Sequence, residues 1–309
     1  MNAPKKPLNA TPSGWLILDK PAGITSAHAV GKVKRLLRPK KIGHGGTLDP
    51  MATGILPLAL NEATKAFQFV AANRKSYRFT IRWGEERTTD DAEGEVTASS
   101  AARPSHEVIE AALPGFTGDI LQAPPAFSAI KVDGERAYAL ARAGEVVQLA
   151  ARPVHVERLT LLDTPDADHA VLEMVCGKGT YVRSIARDLG RELECFGHVT
   201  ALRRTEVGEF HENRAISLEE LEDIVHSGAL KEWLLPISSV LADIPALELD
   251  PEAARRMMHG QTVMLPPADV VRLEVSQREI TVQVHSAGNL IAVAQAHGGT
   301  LKPVRIFHV

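Results

Sequence analysis

A glycine-rich stretch, GHGGTLDPMATG at positions 43 to 54, constrains the fold of this chain more than any other segment. Its paired glycines allow unusual backbone angles or the close approach of a bulky ligand. The stretch is therefore predicted to be a loop. The apolar residues Ile55, Leu56 and Leu58 follow directly and anchor the end of this loop in the core.

The loop contains one carboxylate, that of Asp49. Pro50 fixes the backbone immediately after it, and His44 precedes it. A carboxylate in a loop of small residues fits a nucleophile, but a structural Asp turn is the more common occurrence of such a pattern. The loop alone leaves both interpretations open.

Spacing excludes the familiar nucleotide and metal motifs. The third position of a GxGxxG pattern that begins at Gly43 is Leu48, and GKGT at Gly177 lacks the upstream glycine and the Ser or Thr of a phosphate-binding loop. The twelve histidines form no HExxH, and no His, Cys and carboxylate residues occur at zinc spacing.

Positive charge is concentrated just before the glycine-rich stretch, although the net charge of the chain is -3. No Asp or Glu occurs from Lys20 to Leu48. An uneven distribution of this kind suits a phosphate backbone, whereas a solvated helix face is the ordinary alternative. The cations of this basic stripe are Lys20, Lys32, Lys34, Arg35, Arg38, Lys40 and Lys41.

Composition indicates a globular chain. Its 309 residues, 44% hydrophobic and 24% charged, suffice for one large domain and a small one. No apolar run approaches the roughly 18 residues that cross a bilayer, and no signal peptide precedes the fold, so we expect a cytoplasmic location and no membrane association. Cys176 and Cys195 are expected to be buried thiols without a disulfide.

Apolar periodicity predicts an α+β protein. Residues 1–13 resemble a disordered tail, and the fold begins near Gly14 with a strand, followed by a helix that Ser26 caps. Alternation in YRFTIRW predicts a strand that presents Tyr77 to one face together with three apolar residues. After 245 the pattern changes to one short helix and several short strands, which places a domain boundary there.

Several motifs, in order, resemble the TruB-type pseudouridine synthases, including the GTLDP element that carries the catalytic Asp of that family. The resemblance is specific from Gly14 to Phe210 and looser beyond. The sequence RTTDD stands where the family often has TDT, and Phe127 replaces a common Tyr; we interpret the RTTDD turn as structural. The matching segments are LDKPAGITS, GHGGTLDPMATGILPLALNEATK, KSYRFTI, DDAEGEV, PPAFSAIKVDGERAYALARAGE, GKGTYVRSIARDLG and LRRTEVGEF.

The resemblance implies a pseudouridine synthase fold, with a mixed, largely antiparallel central sheet flanked by helices. It implies a catalytic domain at 14–245, a small, mostly β, PUA-like RNA-binding domain at 246–309, and a mobile RNA-gripping insertion at 122–152. Three cations of the insertion would contact RNA: Lys131, Arg136 and Arg142.

The resemblance also implies the chemistry. The target would be the uridine at position 55, in the T-loop of tRNA, turned out of the base stack. Asp49 would attack this uridine at C1' or at C6, after which the base is detached, rotated and rejoined through C5. Arg183 would pair with the ionised Asp49, and Tyr77 would stack on the uracil.

Five further residues match positions that the family uses for substrate. Tyr181 and Leu202 would complete the pocket wall, and His44 would hold the flipped-out loop of the RNA. Lys20 and Lys65 would be supporting cations near the site or the RNA backbone. Taken singly, most of these residues have an ordinary structural explanation, such as core packing for Tyr181 and Leu202. We expect no metal and no cofactor.

Two rival functions remain open on the sequence. Relatives with the same catalytic motifs act at sites chosen by a guide RNA, and a tRNA-binding or tRNA-folding protein without catalysis would share the basic stripe. The minimal C-terminal domain favours a stand-alone enzyme, and the set of Asp49, Tyr77 and Arg183 favours catalysis. We expect tRNA, through its T-arm, as the partner, no obligate protein partner, and a monomer.

Overall fold

The computed structural model of the chain describes residues 11–71, 74–128, 130–132, 134–145, 147, 149–273 and 278–308. The strands are β1 (Gly14–Lys20), β2 (Ile42–His44), β3 (Thr53–Leu60), β4 (Lys75–Trp83), β5 (Glu85–Arg87), β6 (Val96–Ser99), β7 (Gly118–Gln122), β8 (Lys131–Val132), β9 (Glu135–Arg136), β10 (Arg152–Asp166), β11 (His169–Cys176), β12 (Gly197–Val207), β13 (Phe210–His211), β14 (Ala246–Glu248), β15 (Val263–Met264), β16 (Ile280–Ser286), β17 (Asn289–His297) and β18 (Thr300–Ile306).

Helices precede, follow and connect these strands. The α-helices are α1 (Ser26–Leu37), α2 (Phe67–Ala71), α3 (His106–Ala112), α4 (Ala137–Arg142), α5 (Val182–Glu192), α6 (Leu218–Ser227), α7 (Leu230–Trp233), α8 (Pro251–Met258) and α9 (Pro267–Arg272). Short 3-10 helices span Asn61–Ala66, Leu113–Phe116, Glu212–Arg214 and Ile237–Leu241. None of the described helices has the length and apolarity that crossing a bilayer requires.

The central sheet has the order β1-β3-β12-β4-β11-β10-β7, with β2 beside β3 and β13 beside β12. Its neighbours are antiparallel except for β3 and β12, which run parallel. The prediction of a mixed, largely antiparallel sheet with helices is confirmed. This order places β12 between β3 and β4, so the segments that contain Asp49 and Tyr77 approach the same strand from opposite sides.

The alternation predicted for β4 is present. Phe79, Ile81 and Trp83 are fully buried, Tyr77 is half-buried against the same core, and the residues between them are more exposed. Helix α5 packs on this face of the sheet through Ile185 and its neighbours. Burial of one face of β4 thus fixes which side of the sheet receives the Tyr77 ring.

Helix α1 begins where the sequence predicted it, but the capping residue is Thr25 and not Ser26 as predicted. The Thr25 hydroxyl accepts the hydrogen bond from the backbone N of His28 and so caps the helix. Ser26 is the first helical residue, and its buried hydroxyl bonds to the backbone of Leu48 instead. Both residues suit an N-cap in isolation, and the tertiary contact of Ser26 decides between them.

A second sheet follows residue 245, with the order β14-β16-β17-β18-β15. Its own core is formed by one face of this sheet and α8. Phe307, Leu290 and Val293 lie in a separate cluster with Trp15 and Ile17 of β1, so the C-terminal sheet packs on the larger one. This architecture confirms a C-terminal β domain, while the exact boundary at 245 stays a prediction.

Part of the N-terminal segment is described. Residues 1–10 of the predicted tail lie outside the described residues, but the backbone oxygens of Thr11 and Pro12 accept hydrogen bonds from the Asn61 side chain. The side chains of Lys131, Arg136 and Arg142, predicted to contact RNA, also lie outside the described part of the chain.

Helix α5 lies unusually close to the turn before β12, and we predict that Gly190 is essential for this contact. A Cβ atom at Gly190 would lie 2.4 Å from the backbone N of Gly197 and 2.5 Å from the backbone C of Phe196. Gly190→Ala should lower the free energy of unfolding by about 1–3 kcal/mol, because overpacking against backbone outweighs the better helix propensity of alanine.

Gly31→Ala in α1 is the matched control, because the nearest atom to its Cβ would be Arg35 Nη1 at 3.9 Å. This substitution should raise the free energy of unfolding by about 0.5–1 kcal/mol. Urea unfolding of both variants tests the prediction. Equal stabilisation by the two substitutions would show that α5 can move away from the sheet at no cost.

Candidate active site

The Asp49 loop joins β2 to β3 and is shaped by glycine where space or backbone angles demand it. The backbone N of Gly45 donates to Pro57 O at 2.9 Å, and a Cβ at Gly45 would lie 2.7 Å from Val70. Gly46 and Gly54 have φ values of +97° and +96°. Glycine is needed at these positions for packing and backbone conformation, which explains the composition of the loop.

The backbone is fixed on both sides of Asp49. The Ser26 hydroxyl accepts from the backbone N of Leu48 at 2.8 Å and donates to its oxygen at 3.0 Å. On the other side, the carbonyl of Pro50 accepts from Lys20 Nζ at 3.2 Å and from the backbone N of Gly23 at 2.9 Å. The loop therefore presents the Asp49 carboxylate from a rigid support.

Arg183 of α5 holds the carboxylate itself. Its Nε lies 2.9 Å from Asp49 Oδ2, although the N–H direction is too oblique for a hydrogen bond, so the contact is an ion pair. Arg183 is 4% exposed, whereas about a third of the Asp49 side chain is exposed. The geometry orients the carboxylate with a buried cation and leaves part of it accessible to a ligand.

The remaining nitrogens of Arg183 are bound as well. Nη1 donates to the Thr89 carbonyl at 2.7 Å and lies 3.4 Å from Asp91 Oδ2, and Nη2 donates to the Phe127 carbonyl at 3.0 Å. A planar guanidinium fork with several partners has little rotational freedom. Arg183 is therefore a fixed cation against which Asp49 is oriented.

The RTTDD turn, expected from the sequence to be structural, binds two arginines of α5. Asp91 contacts Arg183, and Asp90 forms an ion pair of 2.9 Å with Arg187, one helical turn further along α5. The Asp91 carboxylate also accepts from the Glu93 backbone N at 3.0 Å. The two neighbouring carboxylates thus bind two arginines on the same face of one helix.

Tyr77 lies on β4, which is separated from β3 by β12. Burial raises the pKa of its hydroxyl, opposed mainly by the positive charge of Arg204, and the charge of Asp49 adds to the rise. Tyr77 is consequently a neutral phenol at physiological pH. Arg183 contacts Asp49, and the charge of Asp49 acts on the Tyr77 hydroxyl, so the three side chains lie in one region. Their roles stay predictions.

Tyr181 directly precedes α5, and Leu202 lies on β12. The backbone N of Tyr181 donates to the buried Gln122 side chain at 2.8 Å, and that side chain donates back to the Tyr181 carbonyl at 3.1 Å. The guanidinium of Arg152 lies 5.5 Å from the centre of the Tyr181 ring. Leu202 is buried opposite Phe79 of β4.

His44 and Lys65 differ in their relation to the site. Burial lowers the pKa of His44, and its buried Nδ1 has no hydrogen-bond partner among the described residues. Lys65 Nζ donates at 2.7 Å to both Glu62 and the carbonyl of Ile306, at the end of β18. Lys65 thus links the 3-10 helix Asn61–Ala66 to the C-terminal sheet, and its role in substrate binding stays a prediction.

Lys20 is buried rather than part of a surface stripe. Its Nζ donates to the carbonyls of Pro21 and Ile24, each at 2.8 Å, as well as to that of Pro50. Burial lowers the pKa of Lys20 to about 8, and the charge of Asp49 opposes this shift. The other six cations of the basic stripe are exposed, and none forms an ion pair with another described residue.

Sequence reasoning missed Arg204, Asp91 and Ser26. Arg204 is 1% exposed and lies in β12 with Gly54 and Tyr77 as its cross-strand partners. Two adjacent arginines in a strand were a signal, because alternation places one of them on the buried face. No group of three or more His, Cys, Asp or Glu residues within the described ranges is arranged to hold a metal ion.

Most of the chain matches known protein families and individual relatives. The TruB family pseudouridylate synthase N-terminal domain matches residues 34–182, and the tRNA pseudouridylate synthase B C-terminal domain matches residues 183–242. A relative from Bradyrhizobium diazoefficiens, named tRNA pseudouridine synthase B, is 53% identical over 96% of this chain and 86% of its own length. The chain belongs to the TruB family.

Other TruB relatives and solved structures agree. A protein of the same name from Dinoroseobacter shibae is 52% identical, covering 96% of this chain and 95% of the relative. The crystal structure of an archaeal box H/ACA sRNP Nop10-Cbf5 complex contains a chain with 23% identity and a TM-score of 0.71, over 96% of this chain and 86% of the other. That similarity supports the pseudouridine synthase fold.

The contacts of Lys20 predict a pH dependence for this TruB family protein. A protonated amine supplies three donors to three carbonyls, whereas the neutral amine supplies two and no longer attracts Asp49. Protonated Lys20 predominates below its pKa of about 8, so the rate of pseudouridine formation should fall as pH rises through this value.

Single-turnover rates between pH 6.5 and 9.5 provide the measurement. The Lys20→Met variant is the control, and it should be slower at neutral pH and show no decline centred near pH 8. An identical decline in Lys20→Met would assign the pH dependence to another group.

Proposed function

We propose that this protein isomerises the uridine at position 55, in the T-loop of tRNA, to pseudouridine. The observation that carries the proposal is the partly exposed Asp49 carboxylate, held 2.9 Å from the buried Arg183 Nε and fixed through the backbone on both sides. Relatives about half identical over nearly the whole chain are named tRNA pseudouridine synthase B, which supports tRNA as the substrate.

Asp49 is the nucleophile in this proposal. Its carboxylate forms a bond to C1' of the ribose or to C6 of the uracil, and the bond between C1' and N1 breaks. The base then rotates and a bond forms between C1' and C5, after which the proton on C5 is lost and N1 is protonated. A carboxylate bonded to C1' leaves as the bond between C1' and C5 forms, whereas a carboxylate bonded to C6 is eliminated after that bond has formed. Asp49 is regenerated in both cases and no redox partner is needed.

The surrounding side chains have separate tasks. Arg183 keeps the Asp49 carboxylate oriented for attack, and Tyr77 stacks on the uracil near C5. Tyr181 and Leu202 form the wall of the pocket. Because burial lowers the pKa of His44, its imidazole is neutral, which suits contact with the displaced part of the T-loop better than an ion pair with phosphate.

The RNA approaches the site across the basic stripe. Six exposed cations between Lys32 and Lys41 lie shortly before the Asp49 loop, and exposed cations without carboxylate partners suit a phosphate backbone. Lys20 is hydrogen-bonded to the carbonyl of Pro50 in this loop. The insertion at 122–152 grips the RNA, and its base is anchored to α5 through Gln122 and Tyr181.

We propose a stand-alone enzyme that acts as a cytoplasmic monomer, without a guide RNA or an obligate protein partner. The guide-dependent and the non-catalytic alternatives make different predictions for purified protein. A guide-dependent enzyme leaves unmodified tRNA unchanged, and a binding protein retains full function without Asp49.

The experiment uses purified protein and an unmodified tRNA transcript, with chemical mapping of pseudouridine. The wild-type protein should modify position 55 and leave a transcript with cytidine at that position unmodified. Asp49→Asn is nearly isosteric and should lower the rate by at least about 10⁴-fold, because it removes the nucleophile. Its affinity for tRNA should stay within about threefold, because phosphate contacts supply most of the affinity.

The outcomes separate the hypotheses. No pseudouridine with wild-type protein and transcript alone would refute the stand-alone function. Pseudouridine at another position would refute the choice of substrate site. Full activity of Asp49→Asn would refute the nucleophile assignment even if position 55 is the product site.

A further inference from the structure

Arg204 is a buried cation without a carboxylate partner among the described residues. Its Nε donates to the carbonyl of Ile55 at 2.8 Å, and its Nη2 donates to the carbonyl of Gly46 at 3.1 Å. Removing a guanidinium from water is unfavourable, and two neutral carbonyls compensate for it only in part. Stability alone therefore does not explain a buried guanidinium at this position, and we look for a role in the geometry of the site.

The two carbonyls lie on either side of the nucleophile. Gly46 and Ile55 are at the two ends of the segment that contains Asp49, so one planar guanidinium bridges the ends of this segment. The contact is close, since a Cβ at Gly46 would lie 3.3 Å from Arg204 Nη1. The Asp49 loop is therefore closed by a side chain from β12, in addition to the contacts of Ser26 and Lys20.

The backbone of Arg204 lies between the strand that follows the Asp49 loop and the strand that carries Tyr77. Arg204 is paired with Gly54 of β3 on one side and with Tyr77 of β4 on the other. A Cβ at Gly54 would lie 2.2 Å from the Arg204 carbonyl oxygen, so no other residue fits there without a shift of the strands. Gly54, Arg204 and Tyr77 thus form one row across three neighbouring strands.

The side chain of Arg204 also acts on Tyr77. Its positive charge is the main influence opposing the rise in the pKa of the Tyr77 hydroxyl that burial causes. Arg204 is therefore hydrogen-bonded to the Asp49 loop and is the strand neighbour of Tyr77. Arg183, by contrast, approaches Asp49 from α5.

We infer that Arg204 is a positioning residue, which fixes the Asp49 loop relative to Tyr77 so that both meet the same flipped uracil. The inference rests on the proposed function, because it assigns a common substrate to Asp49 and Tyr77. A misplacement of about 1 Å in a reacting group costs on the order of 100-fold in rate. Loss of Arg204 is expected to act on the chemical step and to leave tRNA affinity nearly unchanged.

Two substitutions separate the guanidinium fork from its charge. Arg204→Lys keeps a positive charge but cannot reproduce a planar fork between two carbonyls, and Arg204→Met removes the charge while keeping an apolar stem. The single-turnover rate of pseudouridine formation should fall about 10-fold in Arg204→Lys and about 100-fold in Arg204→Met. Filter binding should give tRNA dissociation constants within about threefold of wild type.

Arg158→Met is the matched control for loss of an arginine from the same sheet. Arg158 lies on β10, is exposed, and contacts Glu173 at 3.1 Å. This variant should retain the wild-type rate and affinity. Circular dichroism at the assay temperature establishes whether each variant is folded.

The results distinguish failure of this inference from failure of the proposed function. If wild-type protein forms no pseudouridine, the proposed function fails. If wild type is active and folded Arg204→Met forms pseudouridine at the wild-type rate, the positioning role is refuted. It is also refuted if the tRNA affinity of Arg204→Met falls by the same factor as its rate. If both Arg204 variants are unfolded, Arg204 is a structural residue and the inference is also overturned.

Discussion

The ion pair between Asp49 and Arg183 is the interaction on which the arrangement of the site depends. A carboxylate in a flexible glycine-rich loop has many orientations, and ordering it costs conformational entropy. Here a buried guanidinium, itself held by two carbonyls and Asp91, provides a fixed partner at 2.9 Å. The conformational entropy of the Asp49 carboxylate is therefore lost when the protein folds and not when the RNA binds.

The sheet topology explains how residues distant in the chain reach this ion pair. Strand β12 lies between β3 and β4, so the end of the Asp49 loop and the Tyr77 side chain are neighbours of one strand. Helix α5 packs over the same strands and supplies Arg183. Tyr77 and Arg183 therefore rest on packed elements, and the loop that carries Asp49 is fixed to them by Ser26, Lys20 and Arg204.

Residue patterns predicted much of the fold. Alternation identified the buried face of β4, and an apolar run identified β1, because burial on one or both faces leaves a direct trace in sequence. The pattern assigned the wrong cap to α1. Thr25 and Ser26 are equally suited to capping, and the choice depends on Leu48, which is 22 residues away.

The site was less predictable than the fold. The glycines marked a loop, but only the family resemblance favoured Asp49 as a nucleophile over a turn residue. Arg204 and Asp91 were missed because their importance arises from partners on other strands and helices. Lys65 shows the converse, since a plausible supporting cation links the 3-10 helix Asn61–Ala66 to the C-terminal sheet.

A crystal structure of the protein bound to a tRNA T-arm would show whether Asp49 reaches the target uridine. We expect the uridine at position 55 to be turned out of the loop, with an Asp49 carboxylate oxygen about 3–3.5 Å from its C1' or C6 and Arg183 still paired with Asp49. A T-arm that binds with this uridine stacked in the RNA, or with Asp49 far from both carbons, would contradict this expectation.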